Sequence, residues 1–282
     1  MSDLLAARWL MAISLAFHIL FAVAGMAMPL FLMLAEILRL RTGDPMWKEL
    51  AFRWARGTAV LFAVGAVSGT VLSFELGLLW PGFTSVAGPA IGIPFTLEGF
   101  AFFFEAIFLG IYLYGRERIS PGMRVFSAGA IALSGLASGV FVMAVNAWMQ
   151  SPPPSGGAVD PWTAFKSPAY PHQAVHMALS AYLAVAFLAA GVHAWALLRR
   201  PKSDFHGKAL TLVLAIGIPL APLQIVSGDL SARFVAHDQP VKFAAMEALH
   251  ETQARAPIRL GPIEVPGVLS WLAHGDVDAE VM

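Results

Sequence analysis

Two carboxylates seven residues apart, in a stretch with no other charge, raise the question of chemistry first. In LEGFAFFFEAIFLG, residues 97–110, Glu98 and Glu105 are the only charged side chains between Gly82 and Gly115. Seven residues turn an α-helix through about 700°, so the two acids share one face about 10 Å apart. Holding an acid at depth in hydrocarbon costs about 2.5–3.5 kcal/mol on insertion scales. Such a pair can carry protons, ligate a metal, or balance a bound cation. The blander reading is a protonated acid hydrogen-bonded to a neighbouring helix. Two histidines have similarly apolar settings. His18 lies in SLAFHILFAVAG, and His176 in PHQAVHMALSAYL, with His172 one turn earlier. Imidazole is a usual axial ligand of haem, although an interior histidine can also be held by hydrogen bonds alone. His193 reads as interfacial. His206, His237, His250 and His274 fall in loops or the tail and take no role.

The elements that must position these groups are long and oily. Of 282 residues, 58% are hydrophobic and 13% charged, about half the charge of an ordinary soluble domain. With no cysteine there are no disulfides, thiolate metal sites or C-x-x-C-H haem attachments. A net charge of zero gives no reason to expect nucleic acid. The apolar part of the first forty residues is too long for a cleaved signal peptide and reads as a retained span.

Six segments are long enough to cross a ~30 Å hydrocarbon layer: Trp9–Leu38, Arg56–Leu79, Pro94–Tyr114, Arg124–Met149, His172–Leu198 and Lys208–Ser227. No Asp, Glu, Lys or Arg occurs between Arg124 and Asp160 or between Lys166 and Arg199. A soluble bundle would need a polar face on each helix. The expected fold is therefore all-α: a polytopic membrane bundle of about six transmembrane helices, residues 1–227, followed by a polar segment, residues 228–282. Twelve of the eighteen basic residues fall in alternate loops, at Arg39–Arg56, Arg116–Arg124 and Arg199–Lys208. The positive-inside tendency makes those loops cytoplasmic and puts the N-terminus and the C-terminal tail outside. At about 1.5 Å of rise per residue, His18, Glu75, Glu98, Glu105, Asn146 and His176 then all lie in the outer half. They come from five different helices, which suggests one shared polar layer.

Six stretches in register carry a family likeness: FHILF around His18, GTVLSFELGLLWPGF, PFTLEGFAFFFEAIFLGIYLYG, SGVFVMAVNAWMQSPPPSG, HQAVHMALSAYLA and VKFAAMEALHETQ. Together they resemble subunit I of the cytochrome bd quinol oxidases. The resemblance implies a quinol:oxygen oxidoreductase of the bacterial inner membrane, with low-spin and high-spin haem b and haem d. Quinol oxidised outside and protons drawn from inside would then generate a membrane potential without pumping. It assigns His18 to a high-spin haem iron, His176 to the low-spin haem b iron, and Glu98 and Glu105 to the oxygen-reducing site, Glu98 as a haem ligand. Lys242 and Glu247 correspond to the pair that binds and deprotonates quinol. Glu75, Ser138 and Asn146 correspond to polar positions on a proton path. The implied partners are cytochrome bd subunit II, a small single-helix subunit, ubiquinol or menaquinol, dioxygen and the lipid bilayer.

Two departures qualify the likeness. Arg8 is followed by Trp9, Leu10 and Met11, where the family has an Arg-x-Gln-Phe pattern. Family members also carry three further helices beyond the quinol loop, with the methionine that completes the low-spin haem; the expectation is an N-terminal portion of such a subunit. Two other readings of the same residues are an inactive truncated fragment of the oxidase and a cofactor-free proton-coupled carrier relaying through Glu98 and Glu105. The carrier would need discontinuous helices or internal repeats; Pro29, Pro94 and Pro222 fall in or at the segments, but no matching halves are visible.

Overall fold

Proline and small polar residues set most of the helix starts. The structure, a computed structural model, describes residues 2–115, 118–153 and 160–281. Six long helices follow one another: α1 (Asp3–Thr42), α2 (Pro45–Leu79), α3 (Pro81–Tyr114), α4 (Pro121–Gln150), α5 (Tyr170–Arg199) and α6 (Asp204–Asp238). Pro45, Pro81 and Pro121 stand in the first turn, where a missing N–H costs nothing. Ser2, Asp44, Ser120 and Ser203 accept from free backbone N–H groups at the starts of α1, α2, α4 and α6. Asp44 also pairs with Lys208, and that ammonium holds its carboxyl below the usual carboxylate range. Gly43, at φ 68°, ends α1 in the left-handed region that a side chain would disfavour.

All six expected spans are present, and each helix is long and apolar enough to cross a membrane. Their ends differ from the reading of the sequence. α3 begins at Pro81 rather than Pro94 and runs through Pro89 and Pro94. α6 passes Ser227 and continues to Asp238, so Gly228 lies inside a helix. Neither α1 at Pro29 nor α6 at Pro219 and Pro222 is interrupted. The tail adds α7 (Pro240–Met246) and α8 (Val268–His274), with four short strands: β1 (Gln253–Ala254), β2 (Ile258–Leu260), β3 (Ile263–Val265) and β4 (Glu280–Val281). β1 pairs with β4 and β2 with β3, both antiparallel, making two small ribbons beside an all-α bundle. Ala236, Phe243, Leu249, Leu269 and Val281 give the tail its own apolar cluster.

α1 is the central helix, packed on α2, α4 and α5, while α3 leans on α4 and α6 on α5. The main apolar core, with Phe31, Leu32, Leu50, Trp54, Ile131 and Val213, sits toward the end that carries the basic loops. Arg116, one of those basic residues, lies outside the described residues. The buried residues of α1 all fall between Ala24 and Glu36. Its first half is open, with Leu10, Ile13, Phe17 and Leu20 exposed. The bundle is thus closed at its basic end and open at the end where His18 sits.

The closed end holds a buried polar group that the sequence reading did not single out. Glu36 is 1% exposed; it accepts from Tyr112 Oη at 2.6 Å and pairs with Arg39 at 2.7 Å. Removing one member of such a set strands the others away from water. Glu36→Ala is expected to lower the stability of the detergent-purified protein by about 3–5 kcal/mol, because Arg39 and the Tyr112 hydroxyl lose their acceptor. Tyr112→Phe should cost only about 1–3 kcal/mol. Thermal unfolding followed by circular dichroism checks the order, and equal effects would contradict it.

Candidate functional site

The two acids of α3 do share a face, and that face lies against α4. Ser138 Oγ donates to Glu98 Oε1 at 3.3 Å. A Cβ added at Gly135, one turn from Ser138, would lie 3.3 Å from Glu105 Oε2 and 3.2 Å from Met26 Cα. A Cβ at Gly25 would lie 3.9 Å from the other carboxyl oxygen, Glu105 Oε1. Glu105 is therefore wedged between α1 and α4 where glycines let the helices approach. It is 5% exposed, and its Oε1 has no hydrogen-bond partner among the described residues. Tyr112 stands seven residues further along α3, so the polar face continues toward Glu36.

The first histidine candidate lies between α1 and α2. His18 Nδ1 is 3.0 Å from Ser68 Oγ. The serine hydroxyl also donates back to the carbonyls of Val64 and Gly65, which fixes its place. One turn toward the N-terminus from His18, Ser14 Oγ donates to Glu75 Oε1 at 2.7 Å, and Glu75 Oε2 is buried without a partner among the described residues. Beside the ring lies Gly69, whose added Cβ would come within 3.0 Å of His18 Cε1.

The second lies between α5 and α6 and repeats the pattern. A Cβ at Gly228 would sit 3.5 Å from His176 Cε1. The Gln224 amide nitrogen is 2.9 Å from His176 Nε2 and 2.6 Å from Ser180 Oγ. His172 contacts Ser231 Oγ at 3.1 Å and leaves its Nε2 buried without a partner among the described residues.

The expected single polar layer resolves into separate inter-helix pairs: α1 with α2, α3 with α4, α4 with α5, and α5 with α6. Among the described residues no hydrogen bond joins His18 to Glu98 or Glu105, and no group of three metal-binding side chains forms. Asn146 belongs to a different set. It donates to Gln173 Oε1 at 2.9 Å and accepts from Gln150 Nε2 at 3.3 Å, and Gln150 Oε1 accepts from Lys242 at 2.8 Å. Lys242 on α7 thus reaches the end of α4. Glu247 is half-buried just after α7, with no ion pair to Lys242 among the described residues. His193, expected near the membrane interface, lies toward the end of α5 but is buried. It is 6% exposed, accepting from Trp54 Nε1 at 3.4 Å and lying 2.9 Å from His206 Nδ1. Since its Nε2 accepts, its Nδ1 carries the proton and donates to His206.

The donor set fits a haem group. It offers two imidazoles on different helix pairs, each facing a glycine gap that a Cβ would narrow, and buried carboxyl oxygens without partners. For His176 to ligate, the Gln224 side chain must turn aside. A ring nitrogen held by a neighbour, as Ser68 holds His18, is the usual way a ligating histidine is oriented.

Residues 6–282 match the family described as "Cytochrome bd terminal oxidase subunit I". A Bacillus subtilis protein named as a cytochrome bd menaquinol oxidase subunit I is 37% identical over 303 residues, covering 100% of this chain and 68% of that protein. The cytochrome bd-II ubiquinol oxidase subunit 1 of Escherichia coli is 26% identical over 300 residues, covering 97% of this chain and 58% of its own length. The solved bd oxidase from Geobacillus thermodenitrificans superposes with a TM-score of 0.93 at 35% identity, over 99% of this chain and 69% of that one. The chain thus spans roughly three fifths to two thirds of these relatives.

Gly135 offers a direct test of the wedge around Glu105. Gly135→Val places two methyl groups where Glu105 and the α1 backbone already stand, and overpacking of this kind costs about 1–3 kcal/mol. A lower unfolding temperature for Gly135→Val, beside little change for Gly110→Val, which has open space around it, is the expected result.

Proposed function

The chain belongs to the cytochrome bd terminal oxidase subunit I family, and we propose that it works as the haem-carrying bundle and quinol segment of a membrane quinol oxidase. When bound, haem b and haem d supply the iron centres that pass on quinol's electrons and reduce dioxygen. His18 and His176 are the protein's ligands to those irons, with Glu98 as a further haem ligand. The observation that carries this reading is the setting of Glu105. A carboxyl oxygen buried without a partner, on the face shared with Glu98 and with α1 and α4 closed around it, can hold a proton and give it up where water is excluded.

The other residues divide the remaining work. Ser138 holds one oxygen of Glu98 and leaves the other to move a proton. Ser14 does the same for Glu75 across α1 and α2. Lys242 offers its ammonium to a quinol oxygen, and Glu247 accepts the quinol proton. With the basic end cytoplasmic, as the loop charges imply, His18, Glu98 and the tail all lie toward the outer face. Quinol would then release protons outside, while those consumed with oxygen come from the inside. Subunit II, a small single-helix subunit, the inner membrane and ubiquinol or menaquinol complete the proposed setting. The unbroken course of α1, α3 and α6 through their prolines favours this over a carrier, which would need discontinuous helices.

The decisive measurement is the reduced-minus-oxidised spectrum of the assembled protein. His18→Ala should remove or displace a high-spin haem band while the helices still insert, since the substitution hardly changes the hydropathy of α1. An unaltered spectrum with full turnover would take His18 out of the site. Glu105→Gln keeps the shape of the side chain but cannot carry a proton. It is expected to leave the spectrum in place and cut oxygen consumption by about a hundredfold or more, the scale of lost acid–base function. Unimpaired oxygen consumption would leave Glu105 with a packing role only.

A further inference from the structure

The segment carrying Lys242 is tied to the bundle through Gln150, the last residue of α4. Two contacts converge there. The Gln150 backbone carbonyl accepts from Gln239 Nε2 at 2.8 Å, at the turn between α6 and α7. Its side-chain oxygen accepts from Lys242 Nζ, also at 2.8 Å. Its amide nitrogen donates to Asn146, and Asn146 donates to Gln173 on α5. The chain of amides runs one way. Because Asn146 presents its carbonyl to the Gln150 amide nitrogen, the Gln150 oxygen is the end left to face Lys242. A flipped amide would set an NH2 group against an ammonium.

We propose that Gln150 is a positioning residue of the quinol site, aiming the Lys242 ammonium before substrate arrives; the inference rests on the quinol reading of Lys242. A lysine on an exposed helix has four freely rotating bonds, and fixing them on binding weakens affinity. One of its three N–H donors is committed to Gln150, which restricts the stem and leaves two donors for a quinol oxygen. The network also sets where quinol binds. Gln173 precedes His176 by one turn of α5, so the Lys242 end of the chain is anchored to the helix that carries a haem histidine. Gln150 touches neither substrate nor cofactor in this role.

The bonds are at the surface, so their loss should leave the fold intact and appear in substrate affinity. In the assembled oxidase, Gln150→Leu is expected to raise the apparent KM for a soluble quinol analogue by about three- to tenfold, the change expected from one such hydrogen bond. Maximal turnover and the reduced haem spectrum should stay as they are. Gln150→Glu keeps an acceptor oxygen for Lys242 and should recover most of the affinity. The double variant Gln150→Leu/Lys242→Ala should be no worse than Lys242→Ala alone, because both act through one contact. An unmoved KM in Gln150→Leu, additive effects in the double variant, or loss of haem with the KM change would each overturn the positioning role. If Lys242→Ala itself leaves the KM unmoved, the quinol assignment of the segment falls, and the role of Gln150 falls with it.

Discussion

Hydrocarbon offers no partner to a buried carboxyl group, so every acid inside this bundle depends on what the chain brings beside it. Glu36 receives Tyr112 and Arg39, Glu75 receives Ser14, and Glu98 receives Ser138. Glu105 receives close-packed helices but, among the described residues, no donor for one of its oxygens. An unsatisfied polar atom in such a place is expensive, and folds retain that expense where chemistry uses it. The glycines follow from the same constraint: Gly25 and Gly135 allow α1 and α4 to close around Glu105, which a larger side chain would hold apart.

The closely packed core and the proposed haem ligands occupy opposite ends of the bundle. Toward the basic loops, Phe31, Leu32, Trp54 and Ile131 pack with almost no exposed surface, and the Glu36 set and the His193–His206 pair lie among them. Toward the other end, α1 exposes most of its side chains, and His18, Glu98 and His176 are only half-buried. On the proposed reading, the closely packed half holds the helices in register for the haem ligands at the other end.

The six spans were legible because a lipid environment dictates length and composition, and neither needs knowledge of neighbours. Their ends were less so. Pro94 looked like a helix start, yet it lies inside α3, where a proline can be tolerated when surrounding helices absorb the lost hydrogen bond. Depth along each helix also followed from the sequence, because the rise per residue is fixed. Lateral contacts did not. Nothing in the spacing of one helix says that Ser68 faces His18, that Gln224 faces His176, or that Lys242 reaches Gln150 across 92 positions. Glu36 was passed over for the same reason, since it sits in LAEILRLR like an ordinary helix-end charge; the burial of His193, read as interfacial near a basic loop, also comes only from packing. The short strands of the tail, two or three residues each, carry too little alternation to be read.

α4 relates these sites to one another. It presents Gly135 to Glu105, Ser138 to Glu98, Asn146 to Gln173 and Gln150 to Lys242. The fifteen residues from Gly135 to Gln150 set Glu105 and the Lys242 segment about 22 Å apart along its axis. Between Ser138 and Asn146 the helix offers only Gly, Val, Phe, Met and Ala. No side chain in that interval can pass a proton by hydrogen bonding, so the carboxyls of α3 and the amides leading to Lys242 form two polar regions with an apolar band of α4 between them. The proposed function, which separates charge across a membrane, would depend on that division. On the proposed reading, protons released from quinol beside Lys242 must not reach the place where protons are consumed, or the oxidation would proceed without building a potential. On this view the apolar interval of α4 is as much a part of the function as the acids on either side of it.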